Sequence, residues 1–505
     1  GGPWKDIEVV PVSSHSGAGI DELRAKVSEI LTESGPVRDS GKPRLPVDRA
    51  FSLKGVGTVV TGTLTEGEIQ VGDDFDVMPQ GGSAHVRTAQ SHGADAKSVP
   101  PGTRTALNLT GVNLRENRGA SKDTIARGDV LVKKGLGGAV AAIDVLVSKS
   151  DREIRGMRQS RRALRTGREV MFHHGSMGVP ARIHFRGQRS LSPGESVLAE
   201  LRFREPVYVF VGDGFVLRDA SLGLTLAGGV VLDEDANRRA FRKPFQGEFL
   251  EARGAAPYDL AVLVESQIRR DKVVFLPGLL AKSAFSEAEI QEEVARFVGE
   301  GLCSQNGEWV FRSEWWKEIS DTASDVILRT HKEHPDQLGF PLRDLRNLME
   351  PKLPAPKFFD MVLEGMLAGE FAKAGPNIRH RDHIPTLPPQ LERAGQLVRK
   401  RLASDLISPP NKGETATNAD EEKALRFLEH TGEVIVLDPK TVISRAGFDR
   451  LQEEIVSFLK EKERATASEL RQETGTVRRI LMPLLEMLDE EGVTVREGDE
   501  RRLKS

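Results

Sequence analysis

The pattern of hydrophobic and polar positions divides this chain into three regions. Residues 7–12 form a short apolar run that predicts a strand, and apolar positions in residues 20–31 recur at helical spacing. Residues 45–134 and 139–232 consist of short β-branched runs separated by glycine turns, which favours strands. The remainder, from residue 244, has helical periodicity. The sequence therefore predicts a strand–loop–helix unit, two closed all-β barrels and a helical C-terminal half.

A repeated pattern organises the helical half. An amphipathic helix, a short break, a second helix, a glycine and a brief β-prone tail occur four times. The glycines that close the second helices are Gly301, Gly369, Gly432 and Gly492, which are 68, 63 and 60 residues apart. This period predicts four winged-helix modules, each a helix-turn-helix with a small β wing. In the third module, the polar stretch SPPNKGETATNADEEK is predicted to be a flexible loop.

The predicted domain boundaries follow from these patterns. The strand–loop–helix unit takes residues 1–34, and the two barrels take residues 40–135 and 137–235. The winged-helix modules take residues 244–312, 313–384, 386–446 and 447–505.

A glycine-rich stretch in the first barrel, FSLKGVGTVVTGTL, superficially resembles a phosphate-binding turn. Such a turn requires a helix after the glycines, so that the helix N-terminus faces the anion. The residues after Gly57 are β-branched and favour a strand instead. We therefore predict that Gly55, Gly57 and Gly62 permit a close approach of backbones or a bulge.

Composition narrows the range of possible functions. The 505 residues have a formal net charge of −3, so any nucleic-acid contact must come from local patches of positive charge. A single cysteine, Cys303, excludes a disulfide framework and favours a reducing compartment. No apolar run approaches the roughly 20 residues of a membrane span. We expect a cytoplasmic protein with no membrane partner.

Histidine and cysteine side chains are the first candidates for a metal site. His173 and His174 are adjacent, and His380 and His383 lie close together in RHRDH. Neither pair has cysteine or acidic partners at the usual ligand spacing, so we predict structural roles and no metal. Cys303 is predicted to be a small buried apolar residue.

Several longer segments resemble a known protein family. The segment VDRAFSLKGVGTVVTGTLTEGEIQVGD is similar to the second domain of translational GTPases, and VPVSSHSGAGIDEL resembles the last conserved loop of their G domain. The segments FHHGSMGVPARIHF and GDGFVLRDASLGLTLAGGVVLD resemble the third domain of bacterial selenocysteine-specific elongation factors. The C-terminal segment SELRQETGTVRRILMPLLEMLDEEGVTVREGDERRL resembles the last winged helix of that family. GDGF, where the family more often has GDRF, and a slightly altered GLTLAGG run are minor departures.

This resemblance implies a fold and a function. The fold is a C-terminal remnant of an α/β G domain, two translation-factor barrels (domains II and III) and four winged helices. The function is GTP-dependent delivery of selenocysteinyl-tRNA to the ribosome at UGA codons. The winged helices would bind a hairpin in the messenger RNA, and the protein would be a monomer.

The family's G domain is represented only by its last strand, loop and helix. The phosphate-binding P-loop, the switch regions and the Asn/Thr-Lys-x-Asp guanine motif are absent from these 505 residues. We expect that the sequence is an N-terminally truncated piece of a longer GTPase. The intact protein would bind GTP with Mg²⁺, but this chain should not hydrolyse GTP alone, and we assign no catalytic residue to it.

The resemblance also implies two binding sites in the N-terminal half. Ser13 and Ser14 match the guanine-contacting loop, although the residues alone favour a turn before a helix, with serine as the cap. Asp48, Arg49 and Arg104 match the pocket for the aminoacyl end of selenocysteinyl-tRNA. From the residues alone, these three could be ordinary solvated charges.

A third candidate site lies in the last module. Five arginines are expected to contact the RNA hairpin, namely Arg471, Arg478, Arg479, Arg496 and Arg501. Residues 447–505 contain 11 Lys and Arg against 14 Asp and Glu, so the module is acidic overall. Such a module suits shape-specific recognition of a small RNA loop better than general RNA binding. The alternative is that the arginines pair with surface acids, namely Glu469, Glu473 and Glu497.

Two other functions are compatible with parts of the pattern. Tandem winged helices also occur in DNA-binding regulators without GTPase activity, but two translation-factor barrels and the lack of overall basicity argue against that class. A general elongation factor for ordinary aminoacyl-tRNA would not need the four C-terminal modules.

Overall fold

The computed structural model describes residues 8–34, 37–115, 122–151, 162–234 and 236–504. The chain divides into two units, Gly1–Trp315 and Trp316–Ser505, which are described in turn. No described helix is long and apolar enough to cross a membrane.

Helix α1 (Ile20–Glu33) is the first regular element. It begins after Gly19, whose positive φ of 74° and close approach to the Pro11 carbonyl leave no room for a Cβ. No residue of α1 is buried, and apolar side chains such as Leu23 and Ile30 are exposed. The strand predicted over residues 7–12 was wrong for the described part: residues 8–12 form no strand, because no described strand lies beside them to pair with.

The first barrel follows α1. Its elements are β1 (Arg44–Leu53), β2 (Gly57–Thr63), β3 (Ile69–Gln70), β4 (Asp74–Met78), β5 (Gly82–Ser91), β6 (Ala94–Ala96), β7 (Ser98–Val99), β8 (Arg104–Thr110), β9 (Asn113–Leu114), β10 (Thr124–Ile125) and β11 (Val130–Lys133). The sheet order is β4-β11-β1-β2-β8-β5, and pairing of β4 with β5 closes the barrel. Alternate apolar residues point inward, and Val60, Phe75 and Leu107 are almost fully buried.

The glycine-rich stretch forms a β-hairpin between β1 and β2. Gly55 and Gly57 have positive φ values of 84° and 102° in the turn, where other residues would be strained. Gly62 lies so close to β1 that a Cβ would be 2.3 Å from the Pro46 carbonyl oxygen. The predicted close approach of backbones is confirmed at Gly62, whereas Gly55 and Gly57 serve a tight turn that was not predicted.

The second barrel follows, with the strands β12 (Val140–Ser148), β13 (Leu164–Arg165), β14 (Glu169–His174), β15 (Met177–Phe185), β16 (Ser190–Leu191), β17 (Ser196–Val207), β18 (Gly214–Arg218) and β19 (Thr225–Asp233). Six of them form the closed barrel in the order β12-β17-β15-β14-β18-β19, and β19 pairs back to β12. The other two, β13 and β16, pair with each other. The Phe172 ring lies at its centre, 5.2 Å from the rings of both Phe203 and Phe215.

A buried arginine joins the two barrels. Arg44 at the start of β1 binds Glu66 of its own barrel and donates to both carboxylate oxygens of Asp213 at 2.8 and 2.9 Å. Its guanidinium also lies 3.8 Å from the ring centroid of Phe210. His174 contacts the same Asp213 carboxylate at 3.1 Å. Burial alone would raise the pKa of Asp213, but the charge of Arg44 holds it well below its usual range.

The first helical module packs on the second barrel. Its elements are α2 (Pro244–Ala255), α3 (Leu260–Asp271), β20 (Val273–Phe275), a short 3-10 turn (Leu276–Gly278), α4 (Glu287–Gly299), β21 (Cys303–Asn306) and β22 (Trp309–Arg312). Ser286 and Glu289 form a capping box at the start of α4. Cys303 is buried, as predicted.

Acidic residues line the junction between the second barrel and α2. Asp144 on β12 is opposite Glu200 on β17 and Asp233 on β19, and all three are at most 3% exposed. Gln246 of α2 donates to Asp144 and Asp233 at 2.9 and 3.1 Å. Arg270 of α3 pairs with Asp233 at 2.5 Å.

The remaining modules repeat helices followed by a two-stranded wing. The second module has α5 (Ser313–Glu333), β23 (Phe340–Pro341), α6 (Leu342–Met349), a 3-10 turn (Glu350–Lys352), α7 (Lys357–Ala368), β24 (Phe371–Ala374) and β25 (Asn377–His380). The third has α8 (Pro389–Ser404), α9 (Lys412–Thr415), α10 (Ala419–Thr431), β26 (Val434–Asp438) and β27 (Thr441–Ser444). The fourth has α11 (Arg445–Lys462), β28 (Ala465–Thr466), α12 (Ala467–Thr474), α13 (Arg478–Glu490), β29 (Thr494–Glu497) and β30 (Glu500–Leu503). The predicted order of two barrels followed by winged helices is confirmed.

Part of the polar stretch of the third module is helical, in α9 and the start of α10, so the prediction of a flexible loop was wrong for these residues. Asn411 caps α9 with a capping box, and the Asn418 side chain accepts from the first N–H groups of α10. The polar residues that suggested a loop are therefore N-caps, a role that asparagine commonly takes.

Candidate functional site

Three neighbouring strands of the first barrel bring Asp48, Thr61 and Arg104 together. The register between β1 and β2 shifts between Val47 and Arg49, which leaves Asp48 at a bulge. Arg104 on β8 bonds both oxygens of the Asp48 carboxylate, one of them at 3.2 Å. The Thr61 hydroxyl donates to Asp48 Oδ1 at 2.6 Å. The carboxylate is thus held on two sides.

The electrostatics of this cluster centre on the Asp48 carboxylate. The hydrogen bond from Arg104 lowers the pKa of Asp48, and the bond from Thr61 and the charge of Arg49 lower it further. Asp48 is therefore ionised and holds Arg104, whose side chain remains 55% exposed. Arg49 is exposed as well, and its charge acts on the same carboxylate. The structure thus brings together all three residues predicted for this site.

The predicted guanine loop forms a compact turn. Ser13 N–H donates to the Ala18 carbonyl at 2.9 Å, and the Ser13 hydroxyl accepts from Ser16 N–H at 3.2 Å. The Ser13 amide is therefore engaged within the loop, whereas Ser14 is exposed. Neither serine caps α1, which begins after Gly19.

In the last module, three of the five predicted arginines lie on the surface without acidic partners. Among the residues that the structure describes, Arg471, Arg478 and Arg496 form no ion pair; Arg496 donates to the Gly498 carbonyl at 3.0 Å. Two of the three acids that could have neutralised them bind elsewhere. Glu469 closes the capping box of α12, and Glu497 pairs with two other arginines, Arg464 and Arg502.

The other two arginines have structural contacts. Arg479 is exposed but donates to the Pro409 carbonyl. Arg501 is only 3% exposed, and its Nε donates to Asp489 at 2.9 Å. The expectation that Arg501 contacts RNA is not compatible with this burial, because β30 turns its side chain toward α13 rather than toward solvent. Arg501 is a structural residue of the wing.

Three of the four candidate histidines, His174, His380 and His383, have hydrogen-bond partners within the protein. His174 binds Asp213 and the Gly214 carbonyl, as part of the junction between the barrels. His383 stacks on His331 at 3.7 Å, and the His380 N–H donates to His331 Nε2 at 3.1 Å. Burial lowers the pKa of His331 to about 4, so this ring is neutral near pH 7. In the described ranges, no group of three His, Cys, Asp or Glu side chains is arranged to hold a metal ion.

Comparison with known proteins gives a consistent result. The model of the selenocysteine-specific elongation factor beta-barrel domain matches residues 151–238, and that of the elongation factor SelB winged helix matches residues 457–503. The selenocysteine-specific elongation factor of Desulfomicrobium baculatum is 26% identical over 98% of this chain and 77% of its own length. That of Escherichia coli K12 is 26% identical over 97% of this chain and 74% of its own length. The chain is a homologue of the selenocysteine-specific elongation factors.

A solved structure supports the fold of this homologue. A bacterial selenocysteine-specific elongation factor, EF-Sec, superimposes with a TM-score of 0.58 at 21% identity. The match covers 99% of this chain and 76% of that one. The order of barrels and helical modules is therefore that of a selenocysteine-specific elongation factor.

The structure of this elongation-factor homologue also reveals a cluster that the sequence did not suggest. On the outer face of the second barrel, a cavity of about 470 Å³ is lined by Arg182, His184, Arg202, Arg204 and Arg238. Arg182 and Arg202 lie directly opposite each other on paired strands. Like charges in that position are destabilising unless a counter-charge is present. Only the alternation of Arg with apolar residues in β15 and β17 could have indicated this cluster, which is named here the arginine groove.

Proposed function

We propose that this protein is a selenocysteine-specific translation elongation factor of the cytoplasm. It would deliver selenocysteinyl-tRNA to the ribosome at UGA codons, in a GTP-dependent cycle, while its winged helices bind the selenocysteine-insertion hairpin of the message. The observation on which this proposal rests is the cluster of Asp48, Arg49 and Arg104 on the first barrel. The relatives' names support the same cargo.

The chemistry of the cluster fits a selenol. A selenol is more acidic than a thiol, whose unperturbed pKa is about 8.5, so it is anionic at pH 7. Two guanidinium groups beside one carboxylate leave a net positive charge for that anion. A serine hydroxyl is neutral at pH 7 and gains less from the same groups. The site therefore distinguishes the two side chains by charge.

Replacement of Arg104 by alanine tests this assignment. Loss of one charge-assisted hydrogen bond is worth about 1.5–3 kcal/mol. The ratio of affinities for selenocysteinyl- and seryl-RNA minihelices should therefore fall by about 10- to 100-fold. Arg104→Lys should recover part of the preference, because lysine keeps the charge but loses the planar fork.

The matched control is Arg87→Ala, which removes an exposed arginine from β5, the strand next to β8. This variant should leave the preference unchanged. An Arg104→Ala protein that discriminates as well as the parent would contradict the proposed pocket.

For the RNA backbone of the tRNA, we propose the arginine groove as a contact. Its four guanidiniums face an opening of nucleotide size. Among the described residues, Arg202 and Arg204 pair with acids, Glu200 and Glu169, and the other two arginines form no ion pair. Phosphate oxygens would supply the missing counter-charge.

For the message hairpin, we propose Arg471, Arg478 and Arg496 as the contacts. Arg478 is the first residue of α13, the second helix of the helix-turn-helix. Replacing all three by alanine in the full chain should weaken hairpin binding and lower the salt slope of binding. A parent chain that binds duplex DNA as well as the hairpin would favour a tandem winged-helix regulator instead.

The role of GTP in this proposal rests on the resemblance to the family alone. Ser14 would remain available to a guanine base, whereas the Ser13 amide is engaged in the loop. The 505 residues contain no G-x-x-x-x-G-K-[ST] motif. We expect that this chain alone does not hydrolyse GTP, and that hydrolysis requires a phosphate-binding loop and its Mg²⁺.

A further inference from the structure

A groove between the second and third winged-helix modules has a composition suited to RNA. Its cavity has a volume of about 500 Å³. One wall is α10 of the third module, and the other is formed by residues 336–341 and Asn377 of the second module. It is called here the inter-module groove. None of the arginines proposed above for the hairpin lines it.

The α10 wall is positively charged. Lys423, Arg426 and His430 lie three or four residues apart, so their side chains project from one face of the helix. Lys423 and Arg426 are 63% and 67% exposed. Their acidic neighbours, Asp420 and Glu422, lie 3.6 Å away on the same helix. Such exposed pairs contribute little and would exchange readily for a phosphate.

The ring of His430 is oriented by the helix. Its Nδ1–H donates to the Arg426 carbonyl at 2.7 Å, so Nε2 is the ring nitrogen left for a ligand. Nε2 of His430 is thus a further hydrogen-bonding group beside the two cations. The one acidic side chain that lines the groove within the described residues, Asp336, is exposed at its edge.

The opposite wall combines amide and apolar side chains. Gln337 and Asn377 offer amide groups that can bond the edge of a base. Leu338, Pro341 and Phe427 supply apolar surface between the amides and the cations. An acidic peptide would use the cations but would have no need of this mixed wall.

We propose that the inter-module groove binds a nucleotide of single-stranded RNA. Its phosphate would lie on Lys423 and Arg426, and its base against the wall that contains Gln337 and Asn377. The message strand beside the hairpin is the source of that nucleotide if the proposed function is right. The groove would then hold the messenger RNA at a second point, distinct from the arginines of the last module.

The test compares two fluorescent RNAs on the full chain. One is a hairpin alone, and the other is the same hairpin with a 10-nucleotide single-stranded extension. The extension should increase the affinity of the parent protein, and Lys423→Ala/Arg426→Ala should abolish this increase. Two lost phosphate contacts should also lower the salt slope by about 1.4, at 0.7 per contact for single strands.

The matched control is Lys317→Ala/Arg329→Ala, which removes two exposed cations from α5 and changes the net charge equally. It should leave both quantities unchanged. Asn377→Ala tests the opposite wall of the groove. This variant should alter the preference among bases but keep the salt slope of the parent.

Two outcomes would overturn the groove. One is a Lys423→Ala/Arg426→Ala variant with the affinity and salt slope of the parent for the extended RNA. The other is tighter binding of a poly-glutamate peptide, which would make an acidic protein the occupant. A third RNA, the 10-nucleotide strand without the hairpin, separates this proposal from the proposed function. If that strand binds through Lys423 and Arg426 while the hairpin is not preferred to duplex DNA, the groove stands and the proposed function falls.

Discussion

Replacing Asp144 by asparagine should remove a pH-dependent loss of stability from the second barrel. Asp144 is fully buried between β17, β19 and α2, and burial raises its pKa from 3.8 to about 8. The charges of Asp233 and Glu200 act in the same direction, whereas Gln246 and Arg270 oppose them. One oxygen each of Asp144 and Glu200 is buried without a hydrogen-bond partner in the described part of the chain.

The magnitude follows from the difference in proton binding. The folded protein retains the Asp144 proton up to about pH 8, whereas the unfolded chain loses it near pH 4. This contribution to stability is fully present below pH 4 and is lost as the pH rises toward 8. Each pH unit in that range costs about 1.4 kcal/mol. From pH 5 to pH 7.5 the parent should therefore lose about 3 kcal/mol, equivalent to roughly 6–12 °C in Tm.

Differential scanning calorimetry at the two pH values measures this effect. Because other groups also titrate, the informative quantity is the stability of Asp144→Asn relative to the parent. That difference should shift in favour of the variant by about 3 kcal/mol between pH 5 and pH 7.5. Asp123→Asn, which removes an exposed carboxylate from the first barrel, should show no such shift. Parallel pH profiles for Asp144→Asn and the parent would refute the reasoning.

Three further substitutions test the packing. Arg253 is fully buried and donates to the Leu232 and Leu263 carbonyls. Arg253→Ala should therefore lower the free energy of unfolding in urea by about 3–5 kcal/mol. A loss below about 1 kcal/mol would contradict its structural role. Gly62→Ala should lower the free energy of unfolding by more than about 2 kcal/mol, because the new Cβ would clash with a backbone oxygen of β1. The control is Gly138→Ala, where the space is open; it should leave the free energy of unfolding nearly unchanged. Thr466→Ala removes the N-cap of α12 and should cost about 1 kcal/mol, and an unchanged melting temperature would show that the cap contributes nothing.

The periodicity of apolar residues was sufficient to predict the classes of structure. Short β-branched runs with glycine turns predicted both barrels, and helical spacing with a closing glycine predicted the winged helices. Local chemistry was harder to interpret. Asn411 and Asn418 suggested a loop although they cap helices, because the same side-chain oxygen serves turns and N-caps alike.

The candidate sites depended on information that the sequence contains only indirectly. The resemblance suggested Asp48 and Arg104, but the bond from Thr61 depends on the bulge in β1 and could not be foreseen. Arg496 and Arg501 look alike in the sequence, yet Arg501 is buried against Asp489 of α13, whereas Arg496 is exposed. The arginine groove likewise depends on the register of β15 with β17, which brings distant residues together.

The ion pairs of Arg44 have a mechanical consequence. Removing one member of a buried pair costs about 3–5 kcal/mol, and here a single guanidinium serves carboxylates from both barrels, Glu66 and Asp213. Separating the barrels would break these contacts, so we expect the two barrels to move as one block. A displacement of either barrel should therefore be transmitted to the other, because the contact behaves as a rigid connection and not as a hinge.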